Sequence, residues 1–276
     1  MTVKSQLSSM EQTTPMINRR TFSTALAAGA ATALLGIPRE ARAASSPRNV
    51  VLIHGLYADG SSWSEVIPRL QSAGMRVTSV QNTLRTFEDD VASVKRALDM
   101  QDGPTVLAAH SYGGMVLSEA GVHSNVSSLV FIAARAPDAG ENYTALAARF
   151  PTPPASHGLV KTGDFVQLTE SAFLNDFANG VDPAKARLLY AVQMPNAASL
   201  SATAKTTVAA WRTKPSWYAV SKQDRTINPE FERFMAKRMK ATTIEIDSGH
   251  LSLVSHPQEV SNLILAAAKP RQMTGM

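Results

Sequence analysis

Cysteine is absent from this sequence of 276 residues. No disulfide is therefore needed in an oxidising compartment, and a lipid anchor attached through cysteine is excluded. Metal-ligand spacings such as H-E-x-x-H are missing, as is a phosphate-binding loop, and Gly55, Gly113 and Gly114 do not make a dinucleotide fingerprint. No metal or cofactor is expected. Nor is there a basic stripe interleaved with aromatics of the kind that tracks nucleic acid. The formal charge of +5 owes much to residues 1–43, where Lys4, Arg19, Arg20, Arg39 and Arg42 face Glu11 and Glu40; beyond residue 43 it falls to +2. So balanced a chain gives no reason to expect nucleic acid or an anionic membrane as a partner. The apolar run over 21–38 is poor in bulky aliphatics and barely long enough to span a bilayer, which argues against stable membrane anchoring.

That run reads instead as part of an export signal. Asn18-Arg19-Arg20-Thr21-Phe22 opens an Ala-rich stretch over 25–37, and Ala41-Arg42-Ala43 suits cleavage after Ala43. The pattern resembles a twin-arginine signal peptide over residues 1–43. The resemblance implies engagement with the twin-arginine export machinery, folding before export, and a periplasmic or secreted mature protein.

With 44% hydrophobic residues over its full length, the chain can bury a substantial core. Apolar runs and helical periodicities alternate along it. Strands are expected at 50–53, 76–80, 105–109, 129–133, 216–220 and 242–246, with helices near 63–73, 87–100, 112–122, 229–239 and 257–268. This alternation predicts an α/β fold with a parallel sheet of about six strands flanked by helices. The core is expected over 47–136 and 215–270. Residues 137–214 break the repeat and read as an inserted, mostly helical cap, with a short hairpin around 158–168 and helices near 170–178, 183–193 and 198–210. Its apolar residues Phe173, Phe177, Leu189, Tyr190, Met194 and Trp211 divide between pocket lining and ordinary packing.

The chemistry begins at Val106-Leu107-Ala108-Ala109-His110-Ser111-Tyr112-Gly113-Gly114. A β-prone run stops at a serine among small residues and a helical pattern follows at once. Such a strand–turn–helix unit holds a serine in strained backbone with its hydroxyl above the sheet edge. A hydroxyl needs a base, and the base needs an acid to fix its tautomer. Downstream, strand 216–220 runs into Asp224, and strand 242–246 runs into Asp247-Ser248-Gly249-His250. Loops at the carboxyl ends of parallel strands open on one face, so Ser111, Asp224 and His250 are expected to converge. Rivals for the acid are Asp138, after strand 129–133, and Asp247, whose short separation from His250 suits a turn better. His256 precedes Pro257 and is expected to open the last helix. His123 and His157 read as surface or cap residues, and His110 as packing under the turn. Two amides must face the charge that develops on the substrate carbonyl. They are expected from Tyr112, after the serine, and Leu56, in His54-Gly55-Leu56 after the first strand, with His54 bracing that loop.

These residues together identify the chain as similar to the α/β-hydrolase superfamily over about 49–268. They are His54-Gly55, the Trp63 loop, His110 to Gly114, Asp224-Arg225-Thr226-Ile227 and Ser248-Gly249-His250. The nearest likeness is to small bacterial esterase-like members related to plant methylesterases and hydroxynitrile lyases. The resemblance implies a serine esterase acting on small to medium carboxylic esters through an acyl-enzyme. It assigns the triad to Ser111, Asp224 and His250 and the oxyanion hole to Leu56 and Tyr112. A lactonase, carbon–carbon hydrolase, perhydrolase or hydroxynitrile lyase on the same residues, and a ligand-binding sensor with a slow triad, are the alternatives. The lyase would need an extra cap lysine, for which Lys161, Lys185 and Lys205 are the candidates.

Overall fold

The computed structural model describes residues 47–269. The expected signal peptide and its cleavage point after Ala43 lie outside the described residues.

Six parallel strands form the main sheet in the order β2-β1-β3-β4-β8-β9. In chain order β1 is Asn49–Ile53, β2 Arg76–Val80, β3 Thr105–His110 and β4 Val126–Ile132. Three shorter strands follow, β5 Leu159–Thr162, β6 Phe165–Leu168 and β7 Asn196–Ala197, before β8 Ser216–Ser221 and β9 Thr242–Ile246. Position in the sheet follows composition. Strands β1 and β3 are buried at every residue, as expected for uninterrupted apolar runs covered on both faces. The polar strands Arg-Val-Thr-Ser-Val and Thr-Thr-Ile-Glu-Ile form the two edges, where half-exposed, charged residues discourage further pairing.

The helices α1 (Val66–Ser72), α2 (Phe87–Asp99) and α3 (Gly113–Ala120) alternate with the first strands. Helix α1 packs against the last helix, Pro257–Ala267, and α2 against α3. Start signals are local. Thr86 caps α2 by accepting from the Asp89 amide, and Asn228 caps the helix Pro229–Arg238 by accepting from Glu230, with proline at its first position. The sheet, its strand count and its order along the chain agree with the expectation from sequence.

Between β4 and β8 the chain builds a separate three-stranded antiparallel sheet, β5-β6-β7, with a π-helical turn at Phe173–Phe177 and a helix at Pro183–Ala191. The expected hairpin is β5–β6. The helix expected over 198–210 is confined to Leu200–Thr203. The reason lies in competing polar contacts: the Thr206 hydroxyl donates to Asp138 O, and the Thr207 and Val208 amides donate to the Glu119 carboxylate. The insertion is tied to loops of the core by Asp176–Arg225 at 2.7 Å, Lys185–Glu65 at 3.1 Å and the Ala197 amide on Leu84 O at 2.8 Å.

Candidate active site

The carboxyl ends of β1, β3, β8 and β9 lie along one edge of the sheet, and the expected site residues follow these four strands. Ser111 sits directly after β3 with φ +54°, a left-handed conformation that serine rarely adopts. Such a conformation costs about 1–3 kcal/mol and persists only when its surroundings impose it. Here the Ser111 amide donates to Ile132 O at 3.2 Å, and Ser111 O accepts from Gly114 and Arg135 amides at 3.0 and 2.9 Å. Small residues are needed because the segments touch. A Cβ on Gly114 would stand 2.3 Å from Arg135 O, and one on Gly55 2.7 Å from Ser111 Cβ. The loop after β1 is therefore seated directly on the serine turn.

His250 is completely buried, and its Nδ1 meets Asp224 Oδ2 at 2.5 Å. The remaining Asp224 oxygen, Oδ1, accepts from the Thr226 and Ile227 amides at 2.6 and 2.9 Å. With Nδ1–H donated to a carboxylate, the Nε2 of a neutral imidazole is an acceptor. That atom is buried and has no hydrogen-bond partner. The His250 ring lies against the His110 ring, 4.5 Å between centroids, and His110 Nε2–H donates to His250 O at 3.1 Å. His110 immediately precedes Ser111, so the imidazole is docked beside the serine turn. No hydrogen bond joins Ser111 Oγ to His250 Nε2 in this structure. Catalytic hydrogen bonds are often open in unliganded proteins and close when substrate arrives. Ser111 itself is only 4% exposed.

His110 packs under the turn, as expected, and also braces the histidine loop. Burial and the neighbouring His250 hold its pKa well below the ordinary value, so it is neutral. His54 braces the β1 loop as expected: its Nδ1–H donates to Gly55 O at 2.9 Å, and its Nε2 accepts from the Asn82 amide at 2.9 Å. Burial lowers its pKa, in keeping with one protonated nitrogen. Because the C=O and N–H of a trans peptide point in opposite directions, fixing Gly55 O also fixes the Leu56 N–H. Leu56 and Tyr112 are both buried, and among the described residues neither amide donates to a backbone carbonyl. Tyr112 opens α3, where the helix dipole favours negative charge. Its hydroxyl donates to Asp90 Oδ2 at 3.0 Å, anchoring the residue from α2.

The rival residues are engaged elsewhere. Asp138 pairs with Arg212 and accepts from the Ala139 amide, and Asp247 accepts from Gln223 on the surface. His256 precedes the last helix at its N-cap position without a side-chain capping bond and contacts Ser255, His123 contacts Asp99, and His157 is exposed. Lys161 and Lys205 are exposed, and Lys185 binds Glu65. Of the six apolar residues in the insertion, Phe177 reaches the site: its ring is 5.2 Å from that of His250, with Phe173 behind it at 4.9 Å. Trp211 donates to Pro137 O and is covered by Arg212 and Arg238, a packing role. The sequence reading passed over Phe177's contact with His250, Tyr112's anchor on Asp90, and Glu232, which lies behind Asp224. The last was detectable as a carboxylate on the buried stripe Phe231, Glu232, Met235, Ala236.

Residues 50–263 match the alpha/beta hydrolase family. The chain is 26% identical to Methylesterase 8 of Arabidopsis thaliana over 251 residues, covering 80% of this chain and 89% of that protein. It is 24% identical to Esterase PIR7B of Oryza sativa subsp. japonica over 262 residues, covering 81% and 97%. Among solved structures it is similar to polyneuridine aldehyde esterase, with a TM-score of 0.70 at 21% identity, covering 81% of this chain and all (100%) of the other.

Proposed function

The chain belongs to the alpha/beta hydrolase family, and from that premise we propose that it is a serine esterase acting on small to medium carboxylic esters. The observation that carries the proposal is the buried 2.5 Å contact of His250 Nδ1 with Asp224, which leaves His250 Nε2 unpartnered beside a serine held at φ +54°. In this reading a turn of the Ser111 side chain brings Oγ to Nε2. The hydroxyl attacks the ester carbonyl as its proton passes to His250, while Asp224 holds the ring and stabilises the imidazolium. The Leu56 and Tyr112 amides receive the oxyanion. His250 then returns the proton to the leaving alcohol, and the acyl-enzyme is released by a water that the same histidine deprotonates.

The names Methylesterase 8 and Esterase PIR7B support ester over amide substrates. A single histidine-assisted site also suffices for an alcohol leaving group. The segment 137–214 serves as a cap over the serine, and residues 1–43 as a twin-arginine signal that sends the mature protein to the periplasm or beyond. The test is turnover of p-nitrophenyl acetate and butyrate by the wild type and by Ser111→Ala. The variant is expected to keep its fold and lose turnover to the level set by binding and oxyanion donors alone. Retention of most of the activity would remove Ser111 from the chemistry.

A further inference from the structure

Behind the His250–Asp224 pair lies a second carboxyl group that the reaction scheme leaves unused. Glu232, on the helix Pro229–Arg238, is completely buried. Its Oε2 accepts from the Ser221 amide at the end of β8, at 3.1 Å, whereas Oε1 is buried and no N–H or O–H donor reaches it. The Asp224 carboxylate, also buried, is the charge that acts most strongly on this carboxyl group.

Two carboxyl groups in contact and out of water cannot both be ionised, because repulsion and desolvation act together. Among the described residues, the ionisable groups of other elements that act on Glu232 or on which it acts include Asp224, Tyr218 of β8 and Tyr143 of the helix Tyr143–Ala147. Arg233, next to it on its own helix, directs its guanidinium to Glu230 and Glu245 at the surface. Asp224 is the better placed of the pair to hold the charge. It accepts from two amides and from His250, whereas Glu232 has a single amide. Burial and the adjacent Asp224 hold the Glu232 carboxyl well above the usual carboxylate range.

We propose that Glu232 is a positioning residue: a neutral carboxylic acid whose Oε1–H donates to Asp224 and thereby sets the orientation and charge of the carboxylate that holds His250. The proposal rests on the Ser111–His250–Asp224 reading. A donor on Asp224 draws electron density away from its bond with the imidazole. Removing that donor concentrates charge on Oδ2, favours the imidazolium, and makes His250 more basic.

Infrared difference spectroscopy between the wild type and Glu232→Gln at neutral pH reads the proton directly. A protonated-carboxyl carbonyl band present in the wild type and missing from the variant is expected, and its absence from the wild type overturns the proposal. Kinetics read the consequence. Glu232→Met, apolar and similar in length, is expected to lower kcat and to move the acid limb of the kcat/KM profile to higher pH. Glu232→Gln, which keeps a donor, is expected to restore both. Active sites are counted by fluorophosphonate titration, so that loss of folded protein is separated from loss of rate. A lower active fraction with an unmoved midpoint, or a glutamine variant as impaired as the methionine one, shows a merely structural role and overturns the proposal. Should the methionine variant not fold, the infrared band still decides. Turnover surviving in Ser111→Ala would sink the triad reading separately, whatever band the wild type shows.

Discussion

Replacing Gly55 by alanine adds one methyl group at the tightest approach between the β1 loop and the serine turn. A Cβ there stands 2.7 Å from Ser111 Cβ, 3.2 Å from His110 O and 3.3 Å from His110 Nδ1. Carbon atoms settle about 3.5–4.0 Å apart, so the two segments must part by about 1 Å. The serine turn is held by three backbone hydrogen bonds, to Ile132 and from Gly114 and Arg135. The loop is held chiefly through His54 and Asn82. It is therefore the loop that moves, and it carries the Leu56 amide with it. Loss of one oxyanion donor costs about 10²–10³ in kcat, and a 1 Å misplacement about 10². The expected result is a fall in kcat of about 100-fold with KM little changed, because the donor acts on charge present only in the transition state. The assay is steady-state hydrolysis of p-nitrophenyl butyrate, with thermal unfolding to establish that the variant is folded. A folded Gly55→Ala protein with wild-type kcat would refute the assignment of the Leu56 loop to the oxyanion hole.

Asp224→Asn is expected to lower kcat by about 10⁴, since the amide disfavours the reactive tautomer of His250. Asp138→Asn is expected to cost far less, and the reverse order in measured kcat would transfer the acid role to Asp138. The raised carboxyl of Glu232 links folding to pH. The folded state keeps a proton that the unfolded chain releases above the ordinary glutamate range, so this contribution is full in acid and is lost as pH rises through the folded value. Urea unfolding of wild type and Glu232→Gln should therefore diverge with rising pH in favour of the variant, and a difference that does not change with pH would contradict the buried proton. Substituting lysine for Arg19 and Arg20 is expected to leave the precursor in the cytoplasm, as read by cell fractionation; undiminished export would rule out the twin-arginine route.

Much of the core was legible because each of its signals is local. Val50 to Ile53 and Thr105 to His110 are apolar runs that can be satisfied only inside a parallel sheet, and β2 and β9 announce themselves as edges by their polar residues. The convergence of Ser111, Asp224 and His250 on one edge followed from their places just past strand ends. The insertion was less legible because its conformation is set by partners far away in the chain. The segment after Thr203 carries helix-compatible residues, yet Glu119 and Asp138 capture its hydroxyl and amide groups. Among Phe173, Phe177 and Trp211, no pattern in sequence separates the ring that touches His250 from the one bonded to Pro137. Glu232 escaped notice because a glutamate one residue before Arg233 reads as surface charge, although its place between Phe231 and Met235 puts it on the helix's buried stripe.

The proposed row of hydroxyl, imidazole and carboxylate is tested most directly by covalent trapping with a fluorophosphonate followed by peptide mass mapping. One adduct per chain on Ser111 is expected, absent from Ser111→Ala and formed far more slowly in His250→Ala and Asp224→Asn. An adduct on another residue, or labelling of Ser111 at an undiminished rate without His250, would contradict it.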